Sequence, residues 1–136
     1  MKKLLLALLS ALALFAVTSC EMTYGEGKYP ELEQWYAPHT GDDGDWIGPG
    51  PKCLMTSVGG GVYEIEVTTG RKNVGITLCT DGNYSNQKHW NHATADTQAN
   101  FGWKDDFGNK QLVLKKPGTY MVSVDSVAGT WSVTAK

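Results

Sequence analysis

Cationic side chains are too few and too scattered here to serve a polyanion. Lysine and arginine number 12 in 136 residues against 14 aspartates and glutamates, and no basic cluster of the kind that follows a phosphate backbone is present, so no nucleic-acid partner is expected. Catalytic signatures are missing as well. There is no Gly-x-Ser-x-Gly, no Cys-His signature and no phosphate-binding glycine loop. Glu64 and Glu66 share one strand face, too close and too exposed to act as the opposed carboxylates of a glycosidase. The chain is therefore read as a binder and not as an enzyme, with no cofactor. No segment after Gly50 carries a capped helical stripe.

The longest apolar stretch, "LLLALLSALALFAV" from Leu4 to Val17, is too short to span a bilayer comfortably; it follows Lys2 and Lys3 and ends in "VTSC". This is the pattern of a signal peptide over residues 1–19. Thr18 and Ser19 before a cysteine resemble a bacterial lipobox, which implies that Cys20 becomes the lipidated N-terminus and attaches the protein to a membrane. Without the leader, 117 residues remain, with 10 cations against 14 anions and a net charge of −4. That length suits one domain and a tether. Cys53 and Cys79 would then lie in a compartment that permits a disulfide, and the sequence leaves open whether they pair.

Residues 20–44 read as a tether, with Gly, Pro and acids but no sustained period. Its Tyr29, Trp35 and Tyr36 are foreign to solvated linkers, so "ELEQWYA" is expected to dock on the domain as one helical turn, with Trp35 either its anchor or a further aromatic platform. Residues 45–136 alternate as strands. "GVYEIEV" sets Tyr63, Ile65 and Val67 on one face and Glu64 and Glu66 on the other. "NVGITL", "TYMVSV" and "TWSVTA" repeat the alternation, Trp131 belongs to the core, and "GGG" at 59–61 is a hairpin turn. "DSVAGT" makes Tyr120–Lys136 a C-terminal hairpin. The expected fold is an all-β, immunoglobulin-like antiparallel sandwich of roughly seven strands.

The order "CLMTSVGGGVYEIEV", strand, long polar loop, "LVLKKPGTYMVSVDSVAGTWSV", together with the lipobox, resembles the repeated domain of the SusE/SusF-type outer-membrane starch-binding lipoproteins. The chain departs from them in its short opening strand, "DWIG", and in "NVGITLC" where they have an apolar-aromatic strand. The resemblance implies a surface-exposed, lipid-anchored outer-membrane protein that holds polysaccharide, an α-glucan such as starch, beside a glycan transporter complex.

"NYSNQKHWNH", residues 83–92, lies in a long connection running from about residue 80 to 110, and a loop beyond ~15 residues in a compact domain is often functional. A pyranose offers a flat C–H patch to an aromatic face and a hydroxyl rim to polar groups. Trp90 and Tyr84 are candidate platforms, Asn86, Gln87, Lys88 and Asn91 candidate hydrogen-bonding groups, and Trp46 and Trp103 further platforms. Trp90 and Trp103 read equally well as plugs that tuck the loop onto the sandwich. His89 and His92 could share a metal only if their segment were helical, with His39 and the acidic "GDDGD" completing the site, and Asp42, Asp43 and Asp45 could alternatively hold calcium; a solvated acidic turn and no metal is the expectation. A structural lipoprotein whose aromatics meet a protein partner is the competing reading, since tyrosine and tryptophan also favour interfaces.

Overall fold

The computed structural model describes residues 33–136. The leader, Cys20 and the tether up to Leu32 lie outside these residues. Two antiparallel sheets face each other across one core. The strands are β1 (His39–Thr40), β2 (Trp46–Ile47), β3 (Thr56–Gly59), β4 (Val62–Thr69), β5 (Val74–Ile76), β6 (Gly102–Asp106), β7 (Asn109–Leu114), β8 (Gly118–Asp125) and β9 (Thr130–Ala135). The larger sheet has the order β2-β1-β5-β7-β6 and the smaller β3-β4-β8-β9.

The alternation seen in the sequence places the core. In β4, Tyr63 and Val67 are buried and Ile65 packs against them from the half-buried rim; in β8, Tyr120, Val122 and Val124 point the same way. The other sheet answers with Val74, Ile76, Leu78, Leu112 and Leu114, and Trp131 fills the centre at 1% exposure. Each such aliphatic chain contributes about 1.5–3 kcal/mol on burial. β4 and β8 pair without interruption from Val62 opposite Asp125 to Thr69 opposite Gly118. A one-residue slip would turn every core side chain to water.

The sandwich begins earlier than residue 45. Trp35 is buried at 3% exposure. Trp35 to Ala37 run extended, not as a helical turn: Tyr36 exchanges backbone hydrogen bonds with Cys79 on one side, while Ala37 donates to Cys53 and Trp35 accepts from Met55 on the other. Cys53 and Cys79 thus flank one extended segment, about two strand spacings apart, beyond disulfide reach. Both thiols are buried and free. Burial pushes the Cys79 thiol up to about 11.

The 80–110 connection is built rather than loose. It holds a turn of 3-10 helix at Trp90–His92, the short helix α1 (Ala95–Asn100) and edge strand β6. Thr94 caps α1 by accepting from the Thr97 backbone N–H, and Asp96 sits in its first turn. β6 escapes the sequence pattern because "GWKDD" has no aliphatic residue to alternate; an edge strand is wet on most of its surface.

Candidate functional site

The outer face of the larger sheet carries a cleft of about 660 Å³. Its floor follows from register. Lys104 on β6 stands directly across from Gln111 on β7, and Thr77, the residue after β5, lines the same cleft, so these three polar side chains form its floor. Trp46 closes one end from β2, beside its register partner Thr40. Phe107 closes the other from the β6–β7 hairpin, where Phe107 and Gly108 at φ 52° and 87° make the two-residue turn that a twisted hairpin favours.

The loop 80–88 supplies the remaining wall. Leu78 and Lys88 pair and close it at its base. Inside it the Asp81 carboxylate accepts from the Asn83 N–H (2.8 Å), the Ser85 N–H (3.1 Å) and the Ser85 hydroxyl (2.7 Å). These bonds, the Ser85 hydroxyl foremost, hold Asp81 below the usual carboxylate range. The turn they build keeps Tyr84 at φ 59° and brings its hydroxyl to the indole N–H of Trp46, which donates to it at 2.7 Å. Trp46 remains 41% exposed. Two aromatic rings are thereby locked together beside the polar floor, and Gln87 lines the same cleft.

Trp90 and Trp103 sit elsewhere. Trp103 is the register partner of Leu112, whose side chain enters the core, so it belongs to the opposite face of the sheet from Lys104 and Gln111. Trp90 packs one side on the core. Its indole N–H donates to the Phe101 carbonyl at 3.0 Å, and its own carbonyl accepts from Gln98 at 3.1 Å. The two rings lie 6.3 Å apart at 44°, with the Lys110 ammonium 4.8 Å from the Trp103 centroid and 5.5 Å from that of Trp90. The eight candidates of the sequence therefore divide. Trp46, Tyr84 and Gln87 share the cleft; Trp90 and Trp103 share the far side. Asn86 bonds back to the Thr80 hydroxyl, Lys88 closes the loop through its backbone, and Asn91 is exposed.

The histidines hold backbone. His92 Nδ1 accepts from the His89 N–H at 3.0 Å, and the His92 N–H donates to the His89 carbonyl at 2.9 Å, which closes the 3-10 turn. Both sit below the ordinary histidine range, chiefly through burial, with His92 adding to the effect on His89 and Lys88 to that on His92. His39 bonds instead to the Ala37 carbonyl at 2.8 Å. In the acidic turn, Asp42 accepts from the Thr69 hydroxyl and the Gly70 N–H, tying β1–β2 to the β4–β5 turn. Among the described residues, no group of three or more His, Cys, Asp or Glu side chains stands placed to hold a metal ion.

Gln111, Lys104 and Thr77 were not singled out in the sequence. Their signal was present only as polar residues at the outward positions of strands, the ordinary composition of any wet sheet face. Comparison of the chain with protein-family models, with curated proteins and with solved structures gave no match.

Proposed function

We propose that this protein is a non-catalytic glycan-binding module, held to the outer membrane by a lipid on Cys20. The observation that carries the reading is the Trp46–Tyr84 pair: two rings fixed by one hydrogen bond beside a polar cleft floor. Trp46 offers the flat apolar face that a pyranose C–H patch requires, and Gln111, Lys104 and Gln87 offer polar groups for its hydroxyls, beside the Thr77 hydroxyl, whose own proton goes to the Lys88 carbonyl. The resemblance to SusE/SusF-type domains supports an α-glucan such as starch as the ligand and a neighbouring glycan-uptake complex as the beneficiary. An open cleft buries little area and wet hydroxyls gain little net energy, so affinity in the micromolar to millimolar range is expected. Tethering beside other weak binders would raise the effective affinity.

The test is affinity electrophoresis of the full chain, purified in detergent, through gels containing starch, pullulan, dextran or xylan. Retardation by one of them that Trp46→Ala abolishes and Trp90→Ala spares supports the cleft as the glycan site. Loss with Trp90→Ala alone, in a folded variant, moves the site to the far face. Absence of retardation in every gel ends the glycan reading and favours a protein partner.

A further inference from the structure

The cleft floor contains a largely buried amide that faces the cleft. Gln111 is 95% buried, being 5% exposed. Among the described residues no protein group hydrogen-bonds its side-chain amide. Nor is that amide sealed off from solvent: it lines the cleft and is absent from the fully enclosed, unsatisfied atoms. Solvent in the open cleft meets such an amide, and a ligand that displaces this solvent must supply hydrogen bonds in its place.

Gly75 explains how the amide is held. A Cβ on Gly75 would stand 2.2 Å from Gln111 Oε1, 2.7 Å from its Cδ and 3.0 Å from Lys104 Cε. The Gln111 amide and the Lys104 stem therefore lie flat across the bare backbone of β5, and any side chain on residue 75 would push the amide up into the cleft. The backbone of Gly75 lies outside the left-handed region, so closeness of approach and not conformational freedom is what a glycine supplies there.

Resting on the glycan reading above, we infer that Gln111 is the specificity-determining residue of the cleft, that Gly75 positions it, and that the ligand is an uncharged saccharide. A side-chain amide presents one acceptor and two donors, the complement of a vicinal pair of sugar hydroxyls that both give and take hydrogen bonds. The charges at the cleft argue for neutrality of the ligand. Lys104 is accompanied on the same face of β6 by Asp106, while Asp105 alternates to the Trp103 side, so a uronate carboxylate entering the cleft meets no net positive charge.

The experiment is calorimetric titration of the full chain in detergent with maltoheptaose, xylohexaose and trigalacturonate, with thermal unfolding of each variant as the control. Wild type is expected to bind a neutral oligosaccharide in preference to trigalacturonate. Gln111→Met, which keeps length and removes the amide, weakens that binding about tenfold while the unfolding midpoint holds or rises. Gly75→Ala weakens it to a similar degree. In the Gln111→Met background Gly75→Ala adds no further loss, because there is no amide left to displace.

Neutral binding that Trp46→Ala removes and both Gln111→Met and Gly75→Ala leave intact overturns the inference and leaves the glycan reading standing. Preference for trigalacturonate overturns the claim of a neutral ligand. Absence of binding to every oligosaccharide and to the polysaccharide gels overturns both. Should Gln111→Met fail to fold, Gln111→Glu and Gly75→Ala decide, and wild-type affinity in either folded variant overturns the inference.

Discussion

Trp46 and Trp90 each donate one indole hydrogen bond, and the acceptor separates their roles. Trp46 donates to the hydroxyl of Tyr84, another ring at the cleft, and keeps much of its face in solvent. Trp90 donates to the backbone of Phe101, beside the core, and its free side is covered by Trp103 and Lys110. A ring whose polar edge is tied to backbone and whose face lies on aliphatic groups holds a loop in place. A ring tied only to a second surface ring remains available to something outside. The two indoles lie on opposite faces of one sheet, joined by β6, where Trp103 looks inward and Lys104 outward.

The sharpest way to break this contrast is to delete each ring. Trp90→Ala is expected to lower unfolding stability by about 2–3 kcal/mol, less than a fully buried tryptophan would, and to leave glycan affinity unchanged at temperatures where the variant is folded. Trp46→Ala is expected to do the reverse, with binding reduced about tenfold or more and stability within about 1 kcal/mol of wild type. Chemical denaturation and titration of the two variants check both halves. If each variant loses both properties, the roles are not separate.

Acidification sharpens the contrast without mutation. The turn at Trp90 uses the neutral His92 ring as an acceptor, and His89 and His92 both have folded-state pKa values lowered from 6.5. The unfolded chain then binds more protons, so their contribution is complete above about pH 6.5 and is lost as pH falls through the lowered values. Asp81, which braces the Tyr84 loop, is lowered from 3.8, so its contribution is complete above that value and is lost only below it. Between these windows the Trp90 side is expected to loosen while the cleft loop stays intact. Amide exchange of residues 89–94 and 81–86 at pH 7.5 and pH 5 checks this; equal loss of protection in both segments contradicts it.

Asp81→Ala is expected to have a smaller effect than removal of Trp46. It frees the Ser85 and Asn83 donors, broadens the positions of Tyr84 and weakens glycan binding less than Trp46→Ala does, with the thermal midpoint near that of wild type. The smallest expected effect is that of reductant. Cys53 and Cys79 are separated by the Tyr36 segment, and the Cys53 thiol donates instead to the Gly48 carbonyl near Trp46. Dithiothreitol is therefore expected to leave the thermal midpoint unchanged, and a drop on reduction would show a disulfide.

Much of the sandwich was legible along the chain. Tyr63, Ile65 and Val67, then Tyr120, Val122 and Val124, announce their strands because a half-buried strand must alternate, and that rule is local. Edge strand β6 and α1 were not legible: the first has no core face to write in aliphatic residues, and the second is six residues ending in "QAN", too short for a stripe. The aromatic and polar content of "NYSNQKHWNH" singled out one loop, and the structure sends its Tyr84 and Trp90 to different faces.

The sequence by itself determined the all-β class, the inward face of each long strand, the burial of Trp131 and the hairpin that ends the chain, since all of these follow from residue type at a period of two. Only the tertiary structure decided which aromatics share a site. Trp46 and Tyr84 are 38 residues apart along the chain. The Gln111 amide takes its position from a glycine in the next strand. Contacts between residues this distant depend on the order of strands in the sheet, and no local pattern of side chains encodes that order.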